Sequence, residues 1–164
     1  MPANAALRRA LIVFPILLVT VVSLLALSPQ TADAGYLLRS HKIHHSVRVA
    51  KNHVGDPYVY GADGPRSFDC SGLTKFSYNR AGLYMPRSAG AQYRYVRHIH
   101  KRNLRRGDFV FFHNASGYVY HVGVYLGRIH GHRVILHAPY PGKRVSRARI
   151  WTRSWYAGTL RFRP

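Results

Sequence analysis

The chain has 164 residues and sets 25 Lys plus Arg against five aspartates and no glutamate, for a formal charge of +20. Such a field draws a protein toward polyanions (nucleic acid, an anionic leaflet, phosphate-rich wall polymers) and carries no specificity of its own. The lone cysteine, Cys70, excludes an internal disulfide and lies too far along the chain for a lipidated N-terminal anchor.

Residues 1–34 read as a secretory signal. Arg8 and Arg9 form its basic start, 11–27 its apolar run, and Ala32-Asp33-Ala34 a small-x-small cleavage site before Gly35. An uncleaved anchor is the alternative, and Pro15 inside the run argues against it. Cleavage after Ala34 leaves a length suited to one domain rather than two. We divide it into a short basic segment, 35–44, and a folded domain, 45–164.

Ile43, Val47, Ala50 and Val54 recur at helical spacing and predict one short amphipathic helix, ended by Gly55 and by the extended Asp56-Pro57 step. Asp63-Gly64-Pro65 marks a loop. A second helix is predicted over 70–81, with Leu73, Phe76, Ser77 and Arg80 at helical spacing, Asp69 as N-cap and Gly82 as C-cap. From Gly107 the period changes, and 109–112, 118–125 and 133–137 read as antiparallel strands, with two more over 145–150 and 159–162. Helices first and strands after give an α+β fold with segregated layers. There is no repeat, no zinc-type spacing and no phosphate-cradling glycine loop. His41/His44/His45 and His130/His132 read as exposed decoration, and neither metal nor cofactor is expected.

Cys70 at a helix start is either a small buried hydrophobe or a nucleophile. A helix N-terminus aims unpaired N–H groups at the sulfur, and a nearby imidazole can take its proton, so both favour the thiolate. Two histidines qualify. His121 begins His121-Val122-Gly123-Val124-Tyr125-Leu126-Gly127 and His137 ends Val134-Ile135-Leu136-His137. If the turn 127–131 pairs those strands as a hairpin, both rings face one side, although each alone reads as a satisfied core or surface residue. Asp69 reads first as a helix cap, Asp108 as a turn residue, Ser71 as first-turn polarity and Tyr58 as core packing or site wall.

Asp56-Pro57-Tyr58-Val59-Tyr60-Gly61, Phe68-Asp69-Cys70-Ser71-Gly72-Leu73, Pro86-Arg87-Ser88, Gly107-Asp108-Phe109-Val110-Phe111-Phe112, His121-Val122-Gly123-Val124-Tyr125-Leu126-Gly127 and Leu136-His137-Ala138-Pro139 together resemble, in order, the NlpC/P60 family of cell-wall cysteine peptidases. The resemblance implies a papain-like fold and a peptidoglycan hydrolase that cuts stem peptides between a γ-linked D-glutamyl residue and the diamino acid. It implies Cys70 as nucleophile, His121 as general base and His137 as its orienting partner. It further implies Tyr58 as an oxyanion donor and Asp69 and Ser71 as substrate contacts. The domain 45–164 is then catalytic, the protein is exported to the wall, and its partners are stem peptides and, through the basic surface, anionic wall polymers. No specific nucleic acid is expected, and a monomer is. The chain has Gly61-Ala62 where the family usually shows two glycines, and a longer stretch between His121 and His137, which leaves His132 as the alternative third residue. Two other functions fit the same residues: an amidase or acyltransferase of this superfamily, and a non-enzymatic basic wall-binding module.

Overall fold

Three α-helices and six strands make up the fold in a computed structural model that describes residues 30–161. The signal expected over 1–34 therefore lies, as far as Pro29, outside the described residues. The chain divides into two units, 1–37 and 38–164, and the second holds the sheet.

Helix α1 runs Gln30–Asn52. Val47 and Ala50 are fully buried and Ile43 packs beside them, so three of the four predicted stripe positions face the core. Val54 does not. The helix stops at Asn52, and the chain reverses through Gly55 at φ +99°, leaving Val54 in a turn and about half exposed. The Gly55 N–H then reaches across to the Val145 carbonyl.

Helix α2, Cys70–Asn79, begins where Asp69 caps it by accepting the Gly72 N–H at 2.7 Å. It ends two residues before the predicted 81. Gly82, at φ +69°, donates to the Asn79 carbonyl while Leu83 donates to that of Tyr78, the paired closure that glycine allows past a helix end. A third helix, α3 (Ala89–Tyr95), was not predicted. Its seven residues are too few for a periodic signal, and its support is tertiary. Buried Gln92 donates to the carbonyls of Ser71 and Pro86 and accepts the Thr74 hydroxyl, fastening α3 to α2.

The strands are β1 (Arg97–Ile99), β2 (Phe109–His113), β3 (Val119–Ile129), β4 (His132–His137), β5 (Ser146–Arg149) and β6 (Trp155–Thr159). They form one antiparallel sheet in the order β1-β6-β2-β3-β4-β5. The last strand lies four residues before the predicted 159–162, since Trp155 and Ala157 supply the inward positions that pair with Phe112 and Val110. Alternation splits the apolar run of β2 between the two faces. Phe109 and Phe111 join Leu73, Tyr78, Val122 and Val124 in the core between sheet and helices, while Val110 and Phe112 join Tyr125, Ile135 and Trp155 on the other face. Asp108 is the predicted turn residue, accepting the Arg105 N–H at 2.7 Å.

β3 and β4 form the predicted hairpin with a tighter turn than the predicted 127–131. β3 continues to Ile129, and His130 (φ +48°) and Gly131 (φ +79°) alone make the reversal, two left-handed residues matching the twist of the strands. A register shift between Tyr125 and Gly127 absorbs the extra length and leaves Val124 opposite Leu136.

Gly72 tests how tightly α2 is seated. A Cβ there would overlap the Ala62 carbonyl oxygen and stand 2.8 Å from Asp63 Cα, both backbone atoms. The same carbonyl accepts the Asp69 N–H at 2.8 Å, so it cannot retreat without loosening the cap. Gly72→Ala is expected to destabilise the protein by about 1–3 kcal/mol. In thermal unfolding that is a drop of about 4 °C in Tm for each kcal/mol.

Candidate active site

Cys70 is the first residue of α2, half-buried, and preceded by an extended Asp69 (φ −91°, ψ 178°) that turns the chain from loop into helix. Fully buried Phe68 pins this turn, bridging to Tyr58 and Asp63. His121 comes from β3 and His137 from the end of β4, and both are buried. Their rings meet, with His121 Nε2 2.8 Å from His137 Nδ1. That contact leaves Nδ1 as the second ring nitrogen of His121. Cys70, His121, His137 and Tyr58 all line one cavity of about 980 Å³. His132, the alternative third residue, opens β4 at the exposed hairpin end and is not among the lining residues.

Burial governs the electrostatics. It pulls His121 down to about 3, helped by the neighbouring His137 and opposed by Asp69, and it pulls His137 down to about 4. Both imidazoles are therefore neutral near pH 7. Burial also pushes the Cys70 thiol up, with Asp69 adding to the rise and the Val122 and Ser71 N–H groups opposing it. The resting site is a thiol that shares one cavity with a neutral imidazole pair. Burial pushes the Tyr58 hydroxyl up as well, with Cys70 and Asp69 behind it, so it stays a phenol and can donate. Tyr58 packs on the core and lines the cavity.

The aspartate cap does more than end a helix. Asp69 takes the Arg87 guanidinium on both oxygens, and Arg87 Nη1 also reaches Ser71 Oγ at 3.1 Å. Desolvation acts to raise the Asp69 carboxyl, but Arg87, the Gly72 N–H and Ser71 together hold it below the ordinary range. Arg87, Asp69 and Ser71 line a second cavity of about 550 Å³ with Tyr60 and Arg94. Tyr58, Cys70 and Tyr120 line both cavities. The thiol thus stands at the junction of a two-armed cleft.

Two residues of this site were not singled out from the sequence. Arg87 carried a signal in Pro86-Arg87-Ser88, but no local pattern says that its side chain returns to Asp69. Trp151 carried none. It stacks on Phe112 at 4.1 Å and 5°, its ring 5.4 Å from that of His137 and 5.9 Å from that of His121, and so roofs the imidazole pair. Among the described residues no group of three His, Cys or Asp side chains is placed to hold a metal.

The model of the NlpC/P60 family matches residues 55–164. The probable endopeptidase p60 of Listeria monocytogenes is 45% identical over 81 residues, which cover 49% of this chain and 16% of that relative. The chain thus spans well under two thirds of that relative's length. Among solved structures, the peptidoglycan hydrolase RipB of Mycobacterium tuberculosis superposes with a TM-score of 0.64 at 25% identity, covering 74% of this chain and 65% of that one. The NlpC/p60 domain of the peptidoglycan hydrolase SagA superposes with a TM-score of 0.63 at 28% identity, covering 72% and 98%. These neighbours are papain-like NlpC/P60 domains, the α+β class predicted above.

The resting protonation state can be read by alkylation. A thiol raised by burial beside a neutral imidazole should react with iodoacetamide at a rate that climbs with pH, its inflection on the alkaline side of the ordinary thiol value of ~8.5. Mass spectrometry of Cys70 modification across pH 5–10 measures this. A rate already at its plateau near pH 6 would mean a preformed thiolate–imidazolium pair and would contradict the burial argument.

Proposed function

The chain belongs to the NlpC/P60 family, and on that premise we propose that it is a cysteine endopeptidase of peptidoglycan stem peptides, cutting the bond between a γ-linked D-glutamyl residue and the diamino acid. The observation that carries this reading is the 2.8 Å contact of His121 with His137 inside a cavity that Cys70 also lines. We read residues 1–34 as a cleaved export signal, 45–164 as the catalytic domain and the cell wall as its place of action.

In this reading the Cys70 sulfur attacks the scissile carbonyl carbon as its proton passes to His121 Nδ1, while His121 Nε2–H donates to His137 Nδ1 and keeps the ring in that tautomer. Either ionisation alone is opposed by burial. Proton transfer between the two groups creates both charges side by side, where a low dielectric strengthens their attraction. Asp69 and the α2 N-terminus act in opposite senses on the thiolate, and the oxyanion is met by the N–H groups at the start of α2 and the Tyr58 hydroxyl. His121 then gives the proton to the departing amine, the C–N bond breaks and a thioester remains. Water attacks that thioester, losing its proton to His121, and the C–S bond breaks to restore the thiol.

The two arms of the cleft follow from this chemistry. His121 lines the larger cavity and not the smaller, so the amine it protonates departs on the larger side and the acyl part lies along Asp69, Ser71 and Arg87. A γ-linked glutamyl residue keeps a free α-carboxylate on the acyl side of the scissile bond, and Arg87 with the Ser71 hydroxyl is suited to it. Asp69 holds that guanidinium in place.

Incubation of the protein with defined muropeptides, read by mass spectrometry, is expected to give products split between D-glutamate and the diamino acid. Cys70→Ala abolishes the cut, and His121→Ala lowers its rate by about 10²–10⁴. His137→Asn keeps a hydrogen-bonding group and costs less than His121→Ala. A sugar–peptide amide cut instead would replace the endopeptidase assignment with an amidase, and intact substrates throughout would remove the enzymatic one.

A further inference from the structure

Of the two faces of β5, one borders the cleft and the other carries cations that the reaction does not use. Ser146 and Ala148 line the larger cavity. The alternating Arg147 and Arg149 therefore point to the opposite face of the sheet, where their cross-strand partners Leu136 and Val134 belong to the core. Two further segments bring cations to this place. Val145, just ahead of β5, exchanges backbone hydrogen bonds with Gly55 and Asp56, which sets the strand beside the last turn of α1 and its Lys51. Gly107 seats so closely on that helix that a Cβ there would stand 2.2 Å from Ile43 Cγ2 and 3.3 Å from Val47 Cγ2. Arg106 is thereby held beside α1, where Lys51 follows Val47 by one turn on the same face.

We propose that Lys51, Arg106, Arg147 and Arg149 form a docking surface for a flexible phosphodiester polymer of the cell wall. Lys51 is half-buried and the three arginines are exposed. The charges feel one another, since Lys51 is pulled below the ordinary lysine range by desolvation first and then by Arg106 and Arg147. None of the four makes an ion pair among the described residues. The aspartates of the sheet-bearing unit are engaged elsewhere: Asp56 with His53, Asp63 with Lys75, Asp69 with Arg87, and Asp108 with the Arg105 N–H.

Gathering like charge without a counter-charge costs stability. The C-terminal dipole end of α1 accounts for Lys51, and protection of an edge strand accounts for Arg147 and Arg149. Neither accounts for the convergence of Arg106 on them, whereas a bound polyanion does. A plain phosphodiester chain suits the patch better than a nucleic acid, because none of the four cations is paired with an aromatic ring among the described residues, and base stacking needs such a platform. The choice of a wall polymer rests on the location proposed above, and the patch itself does not. Bound there, the polymer runs behind the strand that borders the cleft.

Two variants of equal charge test this. Lys51→Gln/Arg106→Gln/Arg147→Gln/Arg149→Gln removes the patch, and Arg66→Gln/Arg97→Gln/Arg102→Gln/Arg153→Gln removes four exposed arginines elsewhere. Each takes four from the formal charge of +20. Binding of labelled poly(glycerol phosphate) is followed by fluorescence anisotropy between about 50 and 200 mM salt. At the lower salt the patch variant is expected to bind about tenfold or more weakly than the wild type, and its slope of log K against log salt to be shallower by about 3, from four contacts at about 0.7 each. The control variant should change that slope by less than about 1. Should thermal unfolding show the patch variant to be poorly folded, Arg147→Gln/Arg149→Gln alone is expected to take about half of the slope change. Equal losses in the two quadruple variants, or no binding by the wild type, overturn the patch. Tighter, patch-dependent binding of single-stranded DNA or of phosphatidylglycerol vesicles overturns the choice of occupant. The patch variant should cleave soluble muropeptides as the wild type does, so absent cleavage removes the endopeptidase reading and leaves polymer binding to be judged by itself.

Discussion

The Asp69 carboxylate accepts five hydrogen bonds on two oxygens: from the N–H groups of Gly61 and Gly72, from the Ser71 hydroxyl, and from two nitrogens of Arg87. Together they tie three segments to the residue that precedes Cys70. The Gly72 bond starts α2 and so sets where Cys70 stands. The Gly61 bond folds the upstream loop against it, and the Arg87 pair brings in the start of α3. A carboxylate offers about four lone-pair directions, so five donors saturate this one. Its proximity to Cys70 disfavours the thiolate, an electrostatic cost of building the frame so close to the sulfur.

Around that frame the fold places charge with care. A chain of formal charge +20 surrounds a reaction centre that is electrically neutral at rest, with a buried thiol and two buried imidazoles. The long-range field and the local titration behaviour are thereby separated, since surface cations act across a Debye length while the buried centre feels its own desolvation first. Trp151 helps maintain the separation by covering the two rings, themselves only 7% and 6% exposed.

Much of the layout could be read along the chain because its causes are local. Asp69-Cys70-Ser71-Gly72 carries a cap, a helix start and a residue small enough for a close backbone approach, and each property belongs to the residue itself. The apolar run 109–112 and the strands around His121 and His137 show their period directly. What escaped was set by partners distant in sequence. The short helix α3 rests on Gln92 bonds to Ser71 and Pro86, and β1 is three residues at a sheet edge. β6 was displaced because pairing with β2, and not its own pattern, selects residues 155–159. Val54 left its predicted stripe because the helix ends at Asn52 and the chain turns through Gly55 three residues later.

The sequence by itself determined the place of Cys70, its helix and the two apolar strands that bring histidines to one sheet, since capping, periodicity and the scarcity of cysteine act residue by residue. Tertiary structure alone decided that His137, and not His132, meets His121. It also decided that Arg87 folds back on Asp69 and that Trp151 roofs the imidazoles. The same holds for the neutral resting state of the site and for the division of the cleft into two arms. These depend on strand register, on burial and on contacts between segments tens of residues apart, and desolvation in particular is a property of the packed surroundings that no stretch of the chain carries alone.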